Sequence, residues 1–173
     1  MTRLKPTLPD NSLLYKQSAT IHYQDTFATT IAATPPVTIT QTGIAFATTA
    51  PRFVSRMMKL RDQIVGIFGL KTSQNLPGNR PSSLNCGDQL GIFKILEKND
   101  QEVILGENDK HLDFRVSLYL QQQPTQQQLI CTTVVHYHNL WGRIYFFFVK
   151  PFHKLLVPTM LKHTVAHLPV SGS

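Results

Sequence analysis

From Trp141 into the Leu160s the chain carries one long helical pattern, in which Ile144, Tyr145, Phe148, Phe152, Leu155, Leu156 and Met160 recur along a single broad face. Arg143, Lys150, His153 and Lys154 punctuate it. A membrane-spanning helix needs about 20 predominantly apolar residues and loses a few kcal/mol for each central charge, so this segment does not span. Its apolar face must instead be buried against the rest of the fold. Pro151 lacks a backbone donor and crowds the preceding turn, which predicts a kink or a division into two pieces.

The partner for that face lies just upstream. Residues 90–97, 102–106, 111–121 and 128–138 read as consecutive antiparallel strands, separated by Lys98-Asn99-Asp100, by Asn108-Asp109 and by the polar stretch around Pro124. A meander is the simplest connection. In the third strand Leu112, Phe114, Val116, Leu118 and Leu120 share one face and His111, Asp113, Arg115, Ser117 and Tyr119 the other, which predicts one packed face and one polar face. The Gln-rich stretch 121–128 is short and joins two good strands, so it reads as a hairpin loop.

Nearer the N-terminus, residues 1–20 carry Pro6, Pro9, Asp10 and Asn11 without periodicity and read as an irregular arm. From Ile21, alternation of Tyr23, Asp25 and Phe27 with His22, Gln24 and Thr26 suits a strand ending before Pro35-Pro36. Thr40 is the expected cap of a short helix reaching Ala47. Pro51 then opens a clear amphipathic helix, with Phe53, Met57, Leu60, Ile64 and Phe68 on one face and Gly69 as its stop. A loop rich in Pro, Gly, Asn and Ser follows over 72–87. The expected organisation is an arm over 1–20, one α+β domain over 21–168 and a tail over 169–173.

Composition restricts the function classes. Of the 173 residues 42% are hydrophobic and 16% charged, which argues for a packed domain with a surface rich in Gln, Thr, Asn and Ser. At this length about 70% of the unfolded chain's surface can be buried. The net charge is +7, but the basic residues are scattered, and no nucleic-acid-binding motif accompanies them, so no nucleic-acid partner is expected. Two cysteines, Cys86 and Cys131, make no disulfide framework, and no charged-then-apolar leader follows Met1. The expectation is a cytoplasmic protein with reduced thiols.

The polar candidates are His111, Asp113 and Arg115, which alternation places on one strand face beside Glu107 and Asp109. A carboxylate beside an imidazole can tune a base, and a neighbouring arginine can bind an anion. The structural alternative, a hairpin-end network in which Asp113 pairs with Arg115 or with a cross-strand neighbour, is preferred. His136 and His138 share a strand face, yet without a Cys pair or an HExxH helix they make no strong metal signal, and no metal or other cofactor is expected. No phosphate-binding glycine loop or nucleophile elbow is present. Phe146, Phe147 and Phe148 must fan around the terminal helix, more apolar girth than one stripe needs. Such a helix suits a cavity wall. Its outward aromatics, with Arg143, Lys150 and Lys154, also suit weak contact with an anionic membrane surface.

Residues 51–71 (PRFVSRMMKLRDQIVGIFGLK), 106–118 (GENDKHLDFRVSL) and 140–161 (LWGRIYFFFVKPFHKLLVPTML) resemble a bacterial domain family of unknown function, found alone or fused to short-chain-dehydrogenase-like proteins. Trp141-Gly142-Arg143-x-Tyr145 followed by Pro151-Phe152-His153 is the most specific part of a resemblance covering roughly residues 20–165. That family looks like a member of the START and Bet v 1-like (SRPBCC) helix-grip superfamily. The resemblance implies a curved antiparallel sheet wrapped around the C-terminal helix, enclosing an apolar cavity; it implies no activity, because fold does not determine function.

Together these readings predict a noncatalytic or weakly catalytic binding domain that holds an apolar lipid or aromatic, polyketide-like molecule between sheet and helix. Phe114, Val116, Tyr145, Phe148 and Phe152 are the expected cavity walls. The alternatives are a cyclase- or hydrolase-like enzyme using a cavity His, Asp or Tyr, and a peripheral membrane or partner-docking module.

Overall fold

A computed structural model describes residues 9–17, 20–32, 35–49, 84–90 and 93–168. The amphipathic helix expected after Pro51 and most of the loop expected over 72–87 lie outside the described residues. In chain order the elements are α1 (Leu14–Gln17), β1 (Tyr23–Ile31), α2 (Ile39–Thr48), β2 (Gln89–Leu90), β3 (Phe93–Lys98), β4 (Glu102–Asn108), β5 (Leu112–Gln122), β6 (Gln127–Tyr137) and α3 (Leu140–Ala166). The six strands form one antiparallel sheet in the order β1-β6-β5-β4-β3-β2. The meander predicted over residues 90–138 is found as β3 to β6, with the short strand β2 added at its outer edge, and β1 closes the far edge by pairing with β6 from Tyr23↔Val135 to Ile31↔Gln127.

The inward side chains follow the two-residue period. Val103 and Leu105 of β4, Val116, Leu118 and Leu120 of β5, and Leu129 and Cys131 of β6 meet Val157, Met160 and Leu161 of α3 in one buried cluster that also takes in Phe46 of α2. A second cluster at the other end of the helix joins Leu112 and Val135 to Tyr145 and Phe146. The sheet thus grips the C-terminal helix along its length, the helix-grip α+β arrangement that the order of elements predicts.

Three local features depart from the sequence reading. The cap of α2 is Thr38, not Thr40: its hydroxyl accepts from Gln41 N, and the Gln41 side chain accepts from Thr38 N, a reciprocal capping box. Thr40 instead receives the Lys98 ammonium at 2.8 Å. The helix α3 runs unbroken through Pro151 and Pro158, so Pro151 does not divide it. Its N-cap is Asn139, whose side chain accepts from Gly142 N.

The third departure concerns the outer face of the sheet, which is not left to water. Arg115, Ser117 and Tyr119, expected on a polar surface, are buried. Residues 12–14 of the N-terminal arm lie over this face, and Leu13 and Leu14 pack with Ile104 and Val134. The anchor is Glu102, fully buried, which accepts from Ser12 Oγ and Leu13 N at 2.7 Å each and from Ser117 Oγ. Ser12 Oγ in turn accepts from Leu14 N at 3.1 Å.

The Gln-rich stretch is the predicted β5–β6 hairpin, and one of its amides has a specific task. Gln127 is buried, accepts from Val37 N at 2.8 Å and donates to Val37 O at 3.0 Å, tying the approach to α2 onto the sheet.

Candidate functional site

Polar groups meet on the inner side of the sheet where β1 and β6 pass under α3. Strand alternation turns Tyr23, Asp25 and Phe27 inward, and the β1–β6 register sets Asp25 opposite Thr133 and Phe27 opposite Cys131. His153 projects from α3 onto this strip. Its Nε2 lies 3.1 Å from Asp25 Oδ1, and each of the two side chains is only 13% exposed. The Tyr23 hydroxyl donates to the other carboxylate oxygen at 2.6 Å. Both oxygens of Asp25 are therefore engaged, one by a neighbour on its own strand and one by the helix.

The surroundings are aromatic and apolar. The Tyr23 ring packs against Phe146 at 4.7 Å and meets His153 edge-on at 6.3 Å, while Lys150 Nζ sits 5.0 Å above it. Burial, followed by the hydrogen bond to Asp25 and the charge of that carboxylate, raises the Tyr23 hydroxyl far above the ordinary phenol range, so it stays a neutral donor. Burial also raises the Cys131 thiol, with Asp25 adding to the effect, which leaves it without thiolate character. Thr133 Oγ1 is buried with no hydrogen-bond partner among the described residues. An accepting carboxylate makes Nε2 of His153 a proton-bearing nitrogen, which leaves Nδ1 as the ring position not held by Asp25.

The residues singled out from sequence fall in several places. Val116 and Tyr145 are buried and Phe114 is partly buried, all three packed on the inner side of the sheet. Phe148 and Phe152 do not join them: they are 50% and 40% exposed and belong to none of the buried clusters. The correction has a simple cause: the buried stripe of α3 runs through Gly142, Tyr145, Phe146, Val157, Met160, Leu161 and Thr164, Phe152 falls at its flank beyond Tyr145, and Phe148 lies further round toward the far side.

His111, Asp113 and Arg115 are placed on the outer side and at the β4–β5 end of the sheet, away from the Asp25–His153 strip. His111 Nδ1 pairs with the Asn139 side chain, and Asp113 Oδ2 lies 3.0 Å from His138 Nε2. Arg115 donates to Glu107 O, Phe114 O and Asn108 Oδ1; burial lowers its affinity for the proton and Asp113 partly restores it. The arginine needs room: a Cβ on Gly106 would collide with Phe114 O and press on Arg115 Cδ. The His136 ring lies between those of His22 and His138, tilted to both, and among the described residues no group of three His, Cys, Asp or Glu is placed to hold a metal ion.

Sequence reading did not single out the Tyr23–Asp25–His153 chain. An acidic residue inside an otherwise inward-facing strand pattern was the available signal for Asp25, and a histidine one position from the exposed Phe152 gave little for His153. Their meeting is a tertiary event.

Comparisons with known proteins place the chain by family. The family model described as "Protein of unknown function (DUF2867)" matches residues 18–160. No curated protein matches in sequence. Among solved structures, the crystal structure of Ara h 8.0201 is similar over 84% of this chain and 97% of that one, with 8% sequence identity and a TM-score of 0.35. With residues 18–160 matched, this chain belongs to the DUF2867 family.

Proposed function

We propose that the domain binds a small, largely apolar molecule, a lipid or an aromatic, polyketide-like compound, at the seam between the inner side of the sheet and α3. The observation that carries the reading is the Asp25–His153 pair with Thr133 Oγ1 beside it: a few convergent polar groups set in an apolar wall. Ligand sites commonly have that composition, with the polar groups fixing orientation and the apolar ones supplying affinity. His153 Nδ1 and the Thr133 hydroxyl are the groups left to meet a carbonyl, carboxyl or hydroxyl on the ligand. The residual exposure of Asp25 and His153 marks the edge of the seam at which a ligand would enter.

Native mass spectrometry of freshly purified full-length protein tests this, followed by titration with oleate and with 1-anilinonaphthalene-8-sulfonate. A copurified mass, or probe binding weakened by His153→Ala and Thr133→Val, is expected. Absence of any adduct together with absence of probe binding would overturn it.

The same pair favours a second reading, proton transfer on the bound molecule. A carboxylate-oriented imidazole is the arrangement of a general base, and the Tyr23 phenol, held neutral, occupies the other oxygen of the orienting carboxylate. Recovery of the copurified molecule unchanged after prolonged incubation would remove this reading and leave the binder intact. Conversion abolished by His153→Ala with binding retained would establish it.

A further inference from the structure

The side of α3 turned away from the sheet carries more apolar surface than solvent-facing helices ordinarily do. Phe147 is 72% exposed, and Leu140, Trp141, Phe148, Phe152 and Leu155 are all exposed beside it. At 100° per residue these six side chains fall within an arc of about 140° on the helix. Phe147, Phe148, Lys150, Pro151, Phe152 and Lys154 line an open groove of about 450 Å³ on this side. An exposed apolar patch rimmed by polar groups marks a contact surface.

Charge selects the kind of contact. Arg143, Lys150 and Lys154 run along one border of the arc, Lys162 follows further on, and none of the 27 residues of α3 is acidic. The chain as a whole carries +7. A second copy is a poor occupant, because a twofold contact would set each patch against itself and bring these cations together without a counter-charge from α3. Aromatic side chains bordered by basic ones, on a helix lying flat, match the interface of an anionic bilayer: rings enter at headgroup level and ammonium groups stay with the phosphates. No helix among the described residues is long and apolar enough to cross a membrane, so the contact would be peripheral.

We infer that the outward side of α3 docks the domain on an anionic membrane surface, with Phe147, Phe148 and Phe152 entering the headgroup region and Arg143, Lys150 and Lys154 engaging lipid phosphates. This does not depend on a ligand at the inner seam. It adds a route, since a domain docked by α3 presents the adjacent seam to the bilayer.

Flotation of the full-length protein with phosphatidylcholine vesicles, and with vesicles containing phosphatidylglycerol, tests the inference. Binding to the anionic vesicles only, weakened by salt, is expected. Each of Lys150→Gln and Lys154→Gln should reduce it about fivefold, the usual worth of one basic residue at such a surface. The double variant Phe147→Ser/Phe148→Ser should lose binding with its melting temperature unchanged. No flotation with anionic vesicles overturns the proposal, as does flotation insensitive to both sets of changes. A fall of several degrees in melting temperature of the phenylalanine variant would instead show that another part of the chain covers the face. A wild-type dimer made monomeric by the same variant would assign it to a second copy.

Discussion

Nε2 of His153 lies 3.1 Å from Oδ1 of Asp25, joining α3 to β1 across 128 residues of chain. Both side chains are largely withdrawn from water, so Nε2 of His153 and Oδ1 of Asp25 depend on each other for a partner. Truncating one leaves a polar group stranded at the seam, which costs about 1–3 kcal/mol. Asp25→Ala and His153→Ala should each lower the urea-unfolding free energy by that order. In the double variant the losses should fall short of additive by more than about 0.5 kcal/mol, the mark of a direct contact. Strict additivity would show that the pair contributes no coupling. Asp25→Asn keeps one acceptor oxygen for Tyr23 or His153, and its amide can donate to Nε2 of the other His153 tautomer, so it should cost less than Asp25→Ala.

Glu102 ties the N-terminal arm to the outer side of the sheet. Removing its carboxylate strands Ser12 Oγ, Leu13 N and Ser117 Oγ in a dry environment. Glu102→Ala should therefore cost about 1–3 kcal/mol for each buried polar group left without a partner. Glu102→Gln keeps one acceptor for Leu13 N, and its amide can donate to the two serine oxygens, so a much smaller loss is expected. Hydrogen exchange should show early opening of residues 12–14 in the alanine variant. Equal destabilisation by both variants would contradict the proposed geometry.

The two cysteines should differ sharply in reactivity. Cys86 is exposed and Cys131 buried. Native protein should therefore release one equivalent of thionitrobenzoate from Ellman's reagent rapidly and a second only on unfolding.

Burial raises both the Cys131 thiol and the Tyr23 hydroxyl above their ordinary values of 9.0 and 10.0. In the unfolded chain these groups release protons at the ordinary values; in the folded protein they hold them. The unfolded state thus binds fewer protons in this range, and stability falls as pH rises. The contribution is complete below pH 9.0 and is withdrawn above it, first through the thiol and then through the phenol. The urea midpoint should decline from about that pH, and Cys131→Ala should remove the earlier part of the decline. A midpoint that is flat up to pH 10.0 would refute the assignment.

Gly142 belongs to the Trp141-Gly142-Arg143 segment and has a steric role. A Cβ there would run into the backbone carbonyl of His111, with Leu112 Cβ close behind. The first turn of α3 can pack onto the β4–β5 turn only because this side chain is missing. Gly142→Ala should lower stability by about 1–3 kcal/mol despite the higher helix propensity of alanine. An unchanged or raised melting temperature would show that the approach is not tight.

Local pattern made much of the fold legible. Period-two alternation located β3 to β6 within a few residues, because a half-buried strand must present apolar side chains to one side. The apolar recurrence after Trp141 located α3 for the corresponding helical reason. Pattern failed where a second layer covers what alternation labels polar. Arg115, Ser117 and Tyr119 look like surface residues in the sequence, because nothing local to β5 reveals that residues 12–14 cover part of this face and reach Ser117 through Glu102. It failed again at Phe148 and Phe152, since a helix apolar around most of its girth does not say which side meets the sheet.

The sequence by itself determined the α+β class, the antiparallel meander, the long terminal helix and the family, because each follows from periodicity or from contiguous residues. Only the tertiary structure decided which acids and imidazoles meet. Asp25, Thr133 and His153 belong to three separate elements, and their convergence depends on the β1–β6 register and on the rotation of α3 about its axis. That rotation also sends Tyr145 and Phe146 inward and Phe147 and Phe148 outward, since successive residues of a helix point about 100° apart.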